Sequence, residues 1–283
     1  MPKKKRSRPK HLSNSAMLLA LVALMVASFL LGIFVTKFSE QKPLPAPPEV
    51  TPKPAAGFIA LVVDDWGYTD NVKEFITAID IPLAIAVLPK LPYSQTIAHY
   101  ANKHNKEVML HLPLEPYYTP DHYPSDYIIK TSMSPDKVKK IIRDSLSTVP
   151  FAQGMNSHMG SKATENKPLM TAIFTDFKER GFFVVDSLVS ERSICENVAG
   201  NLGLPFIARD VFLDNINERR AIEREFAKLA RLAQKKGYAV AIGHARPLTL
   251  EVIKEQSSLL KKKGFVFLSV REMIKHAKTI DQP

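Results

Sequence analysis

The chain has 283 residues, a formal net charge of +11, 45% hydrophobic residues and one cysteine, Cys195. The length suits one large domain or two small ones. A lone cysteine excludes an intramolecular disulfide and a cysteine-based structural zinc site, and Cys195, next to Glu196, has no obvious neighbour to activate a thiolate. The charge is concentrated at one end: nine Lys/Arg and two acids among the first 56 residues give +7, leaving +4 for the other 227. The later part therefore lacks the charge signature of a nucleic-acid binder, and no G-x-G-x-x-G or G-x-x-x-x-G-K-[ST] loop supports a nucleotide site.

Residues 1–16 form a basic tail containing Lys3, Lys4, Lys5, Arg6, Arg8 and Lys10. Met17 to Val35 is then a 19-residue run without charge, diluted only by Ser28 and Gly32. At about 1.5 Å per residue it nearly spans a bilayer core of about 30 Å, so residues 17–36 are expected to be a transmembrane segment. Only Lys37 follows it closely, and the positive-inside rule places the amino terminus in the cytoplasm and the remainder outside, in the periplasm or cell envelope. The run is longer than the apolar region of a signal peptide (about 7–15 residues), and Thr36-Lys37-Phe38 is a poor cleavage site, so the segment is expected to remain as an uncleaved signal anchor. Residues 37–56 carry Pro43, Pro45, Pro47, Pro48, Pro52 and Pro54 and read as a semi-rigid spacer. The folded domain is expected over residues 57–283.

From Gly57 onward, short apolar runs alternate with amphipathic stretches. The expected strands are Phe58–Val63, Leu83–Leu88, Glu107–Leu110, Gly154–Asn156, Phe182–Val185, Pro205–Ala208, Tyr238–Ile242 and Phe265–Leu268. Ser134-Pro135 reads as a cap and first helical position, with helix continuing over Asp136–Ser147. Helices over Pro168–Arg180, Glu218–Lys236 and Leu250–Lys263 each stop at a glycine: Gly181, Gly237 and Gly264. Seven or eight such units in about 225 residues suit a distorted (β/α) barrel of parallel strands better than an open doubly wound sheet. No internal repeat in the solenoid range is present.

The polar residues fall at the ends of these strands. Asp64 and Asp65 follow the first, His111 the third, His158 the fourth, Asp186 and Ser187 the fifth, Arg209 and Asp210 the sixth, and His244 the run at Tyr238. Parallel α/β folds build their sites at this end. Two adjacent carboxylates repel and lose solvation unless a cation compensates. One Asp and two His make a three-ligand site for a divalent ion such as zinc, with room for water. A second carboxylate then takes the water proton, and a further His protonates a departing amine. Serine hydrolysis fits less well, because Ser187 has no Gly-x-Ser-x-Gly elbow and no nearby base. Glycoside cleavage would use the paired carboxylates but has no need of three His.

At these residues the chain resembles the divergent polysaccharide deacetylases of the NodB-like carbohydrate esterase superfamily. The resemblance runs from about Gly57 to His276. Its motifs are Val62-Val63-Asp64-Asp65-Trp66-Gly67, His111-Leu112-Pro113-Leu114-Glu115-Pro116, Asn156-Ser157-His158-Met159-Gly160-Ser161, Val185-Asp186-Ser187 and Ala241-Ile242-Gly243-His244-Ala245-Arg246-Pro247. It implies a distorted NodB-like barrel and a metal-dependent hydrolase that removes N-acetyl groups from an acetylated polysaccharide or peptidoglycan-like glycan. By similarity Asp64 is the base, Asp65 and His111 are ligands, His244 is the general acid and Asp186 orients that region. Where typical members carry His-x-x-x-His, this chain has His111 and Glu115. His158, at the next strand end, is expected to supply the missing imidazole, with Glu115 as an alternative ligand. Asn156, Ser187, Arg246 and Glu115 are the expected substrate contacts, and the ion is expected to be zinc. Tyr117, Tyr118, Tyr123 and Tyr127 would stack on sugar rings or form a lid. The same resemblance also admits a glycan-binding or envelope-scaffolding domain that keeps the fold without turnover.

Overall fold

A computed structural model of the chain describes residues 13–39, 55–118 and 127–281. The basic tail before Ser13, most of the proline-rich stretch and Tyr123 lie outside the described residues. Two units separate, at Lys53 and Pro54.

The first unit contains α1 (Asn14–Ser39), of which 24 residues, Asn14–Lys37, are long and apolar enough to cross a membrane. Two of its hydroxyls, on Ser28 and Thr36, are satisfied within the helix. Ser28 Oγ donates to the Leu24 carbonyl at 2.8 Å, and Thr36 Oγ1 donates to the Gly32 carbonyl at 3.1 Å. That leaves neither hydroxyl proton facing an apolar medium unpaired.

The second unit begins with β1 (Gly57–Trp66), followed by α2 (Phe75–Ala78), β2 (Ala84–Val87), α3 (Ser94–Lys103), β3 (Glu107–Leu114), α4 (Pro135–Leu146) and β4 (Gly154–Met159). Then come α5 (Lys167–Glu179), β5 (Phe183–Asp186), α6 (Cys195–Leu202), β6 (Phe206–Ala208), β7 (Val211–Phe212), α7 (Arg219–Lys236), β8 (Tyr238–His244), α8 (Pro247–Lys262), β9 (Phe265–Phe267) and α9 (Val270–Asp281). Gly181, Gly237 and Gly264 take positive φ of 71°, 87° and 89°, the left-handed stops expected of them. Ser134 caps α4 by accepting the Lys137 N–H.

All named strand pairs are parallel. The strand order is β6-β5-β4-β3-β2-β1-β8-β7, with β9 paired to the start of β1. The two edge strands, β6 and β7, are separated in sequence only by Arg209 and Asp210. The Arg209 N–H donates to the Asp186 carbonyl at the end of β5, and the Asp210 N–H donates to the Val240 carbonyl in β8. A chain that crosses between opposite edges of a sheet in two residues requires the sheet to curl, which gives the expected distorted barrel.

The period of two along each strand sorts the side chains. One buried cluster lies inside the curl and includes Ala60, Val62, Met109, Phe183, Val185, Val240 and Ile242, with Val270, Met273 and Ala277 of α9 packed among them. The outward-facing residues, such as Leu61, Val63, Leu110, Val184 and Ala241, pack with the helices in a larger cluster. Phe183 fills the interior beside Gly154, where an added Cβ would come within 2.4 Å of its ring.

β1 and β3 are longer than expected because their polar ends remain in the ladder. Asp64 pairs with His244, His111 with Asn156, and Pro113 with His158. Pro113, which has no N–H, falls beyond the end of β2, and its carbonyl accepts from Ile129 instead. β7 was not expected, since a two-residue strand is too short to show a period.

Candidate active site and metal centre

The inward series of the strands predicts which polar residues meet. Ala60, Val62 and Asp64 share a face of β1; Met109 and His111 of β3; Gly154, Asn156 and His158 of β4; Val240, Ile242 and His244 of β8. Asp64, His111, Asn156 and His244 thus form the uppermost layer of the barrel interior. Asp65 would alternate to the outside, but a register shift between Val63 and Trp66 and a φ of 59° at Asp65 turn it back. Such a bulge with a left-handed residue is tolerated by Asp and re-aims its side chain. Both carboxylates of the adjacent pair therefore serve one site.

Asp65, His111 and His158 converge. His111 Nε2 lies 3.1 Å and His158 Nδ1 3.0 Å from Asp65 Oδ1, and the two ring nitrogens are 3.1 Å apart. Asn156 Oδ1, 2.9 Å from His111 Nδ1, can only accept, so His111 carries its proton on Nδ1 and turns the Nε2 lone pair to Asp65. The Asn156 amide donates to Asp64 Oδ2 at 3.3 Å and to Ser187 Oγ at 3.4 Å. Asp65 Oδ1 is buried with no hydrogen-bond partner of good geometry. A carboxylate oxygen and an imidazole lone pair converging at that distance fit a divalent cation, and this donor set is one that could hold it.

The electrostatics separate the two carboxylates. Burial, reinforced by the charge of Asp65, pushes the Asp64 pKa up to about 6 against the pull of His111 and His244. Burial acts the same way on Asp65, but the His111 and His158 imidazoles against its Oδ1 outweigh it and hold Asp65 far below the usual carboxylate range. Burial lowers His158. It also opposes the charged forms of His111 and His244, where nearby carboxylates win and both are raised.

His244 is held by a residue absent from the sequence expectations. Its Nδ1 lies 2.9 Å from Asp214 Oδ1, its backbone N–H donates to the same carboxylate, and Thr249 Oγ1 donates to Asp214 Oδ2 at 2.8 Å. Asp214 is fully buried. It lies two residues beyond Phe212, which packs against the interior cluster, so it continues the inward series of β7. Recognising Val211–Phe212 as a strand would have pointed to it.

Asp186 does not fill the expected orienting role. Val185 faces the interior, so Asp186 points outward, where it accepts from the Leu188 N–H at 2.9 Å and Ser193 Oγ at 2.7 Å. Neither Asn156 nor Ser187 is placed as an open substrate contact. Both are buried, Asn156 as described and Ser187 with its hydroxyl donated to the Ser157 carbonyl. Glu115 stands apart from the convergent Asp65, His111 and His158: Oε2 accepts from the Thr131 N–H and hydroxyl, and Oε1 pairs with Lys162 at 2.8 Å. Arg246 lies at the rim and donates to the Asp214 carbonyl at 3.3 Å. Cys195 is buried, and burial pushes its thiol up to about 12, so it is no nucleophile.

Asp65, Trp66, Tyr68, His244 and Arg246 help line a cavity of about 190 Å³. A larger one, about 700 Å³, lies outside the barrel between α2 and α8 and contains none of the site residues. Among the expected loop tyrosines, Tyr117 and Tyr118 are exposed, with the Tyr117 hydroxyl donating to Glu165 at 2.7 Å. Tyr127 instead lies beneath the Lys90 ammonium.

A family model described as divergent polysaccharide deacetylase matches residues 61–274. YibQ of Escherichia coli is 32% identical over 201 residues, covering 71% of this chain and 62% of its own length. A Haemophilus influenzae protein is 32% identical over 196 residues, covering 69% of each chain. The chain thus spans a little under two thirds of the Escherichia coli relative. The crystal structure of ATU2773 from Agrobacterium tumefaciens superimposes with a TM-score of 0.73 at 19% identity, over 79% of this chain and 91% of that one, a likeness of fold.

Proposed function

Because the chain belongs to the divergent polysaccharide deacetylase family, we propose that it is a membrane-anchored, metal-dependent hydrolase that removes N-acetyl groups from a cell-envelope glycan. The observation that carries this reading is the convergence of Asp65 Oδ1, His111 Nε2 and His158 Nδ1 within 3.1 Å of one another, beside Asp64 and the His244–Asp214 pair.

Asp65, His111 and His158 would hold the ion, and two imidazoles with one carboxylate favour zinc. When bound, such an ion acidifies water and polarises an acyl oxygen. Asp64, one residue from the ligand Asp65, receives the proton of the attacking water; its raised pKa matches that task near neutral pH. The Asn156 amide fixes the carboxylate's orientation. His244, locked through Nδ1 by Asp214, presents Nε2 to protonate the departing amine as the C–N bond breaks. The cavity beside His244 has room for a small acyl group. Helix α1 would anchor the protein, with the basic tail cytoplasmic and the folded domain extracytoplasmic.

The test uses the full chain in detergent. Acetate release from chito-oligosaccharides and peptidoglycan fragments is measured with bound metal. Turnover with about one ion per chain, and loss of that ion in His158→Ala, are the expected results. Oligosaccharide binding without acetate release under any divalent ion would replace this reading with a glycan-binding domain.

A further inference from the structure

We propose that Asp64, Asp65 and His244 form a second divalent-cation site, which fills at higher metal concentration and inhibits turnover. This inference rests on the deacetylase reading above. The two oxygens of Asp65 face different partners. Oδ1 meets His111 and His158, whereas Oδ2 lies 3.6 Å from His244 Nε2. One ligand atom each from Asp64, Asp65 and His244 lies within 4.8 Å of the others.

Two further observations point to a cation there. Asp64 is 3% exposed, and its Oδ1 has no hydrogen-bond partner. A buried carboxylate oxygen without a donor is costly, and a cation satisfies it. Asp214 can only accept, so His244 donates from Nδ1 and turns its Nε2 lone pair toward Asp65 Oδ2. Nε2 and Asp65 Oδ2 therefore need positive charge between them, either a proton on the imidazole or a cation that displaces it.

The order of filling follows from the donors. The His111–His158 side offers two imidazoles and first use of Asp65. The His244 side offers one imidazole, Asp64 and a carboxylate already engaged, beside another dication. The second site is therefore weaker. Occupying it ties up the Asp64 oxygens that would take a proton and the His244 nitrogen that would give one. Zinc, which accepts mixed nitrogen and oxygen donors, is the ion class that fits.

The full chain in detergent, stripped with chelator, is titrated with zinc chloride alone, and binding and acetate release are followed together. Two ions per chain in two separated events are expected. Turnover should rise with the first and fall roughly tenfold or more across the second. His244→Ala and Asp64→Asn should keep the first event, which also shows that they fold, and lose the second. A single event in the wild type up to millimolar zinc, or a second event that persists in both variants, overturns the inference. Absence of the first event overturns the deacetylase reading and this inference with it.

Discussion

Asp214 Oδ1 accepts the Nδ1–H of His244 at 2.9 Å, from a fully buried position 30 residues earlier in the chain. The bond sets both the tautomer and the ring orientation of His244, and further hydrogen bonds from the His244 N–H and Thr249 hold the carboxylate in place. Asp214→Asn offers an amide nitrogen where an acceptor is needed. The expected result is a fall in kcat of about 10²–10⁴, with zinc occupancy of the Asp65–His111–His158 group unchanged. Steady-state kinetics with metal analysis on the same preparation checks it.

Asn156 links two side chains of the site, accepting from His111 and donating to Asp64. Asn156→Ala frees the His111 ring to turn and to change tautomer. Zinc affinity is expected to fall about 10–100-fold, measured by competition with a chromophoric chelator. Glu115→Gln, by contrast, should leave zinc affinity unchanged, because Glu115 is engaged by Thr131 and Lys162.

Asp64 makes the protein's stability depend on pH when divalent ions are removed by chelator. Its folded pKa of about 6 exceeds the ordinary 3.8. The folded state therefore binds a proton more tightly than the unfolded one. The stability linked to that proton is fully present below pH 3.8 and is lost as pH rises through about 6. Asp64→Asn removes the loss. Above pH 7 the chelated variant should be more stable than the chelated wild type by on the order of 2–3 kcal/mol, and at pH 3.5 the difference should vanish. Denaturant titrations across that range measure it.

Gly154 leaves the space that the Phe183 ring occupies. A methyl group there overpacks the barrel interior, so Gly154→Ala should cost about 1–3 kcal/mol. Adding Phe183→Leu should recover part of the loss, as two residues in direct contact should couple. A double-mutant cycle by chemical denaturation tests this.

The alternation of apolar strands with glycine-stopped helices marked the α/β class, because both signals are local: a buried strand needs branched apolar residues, and a helix end needs a residue that tolerates positive φ. The placement of polar residues just after apolar runs was legible for the same reason, so Asp64, Asp65, His111, His158 and His244 group together on sequence alone. Which neighbour each one meets was not legible. Asp186 lies one residue beyond an inward Val185 and so points outward, whereas Asp214, after a strand too short to show a period, points inward and takes the place beside His244. The adjacent carboxylates share a site only because a bulge with left-handed backbone at Asp65 cancels the alternation of the strand. By itself, the sequence determined the kinds of element and the chemistry available at their ends. Facing, register and pairing were decided by the curled sheet, because they depend on residues far apart in the chain being buried together.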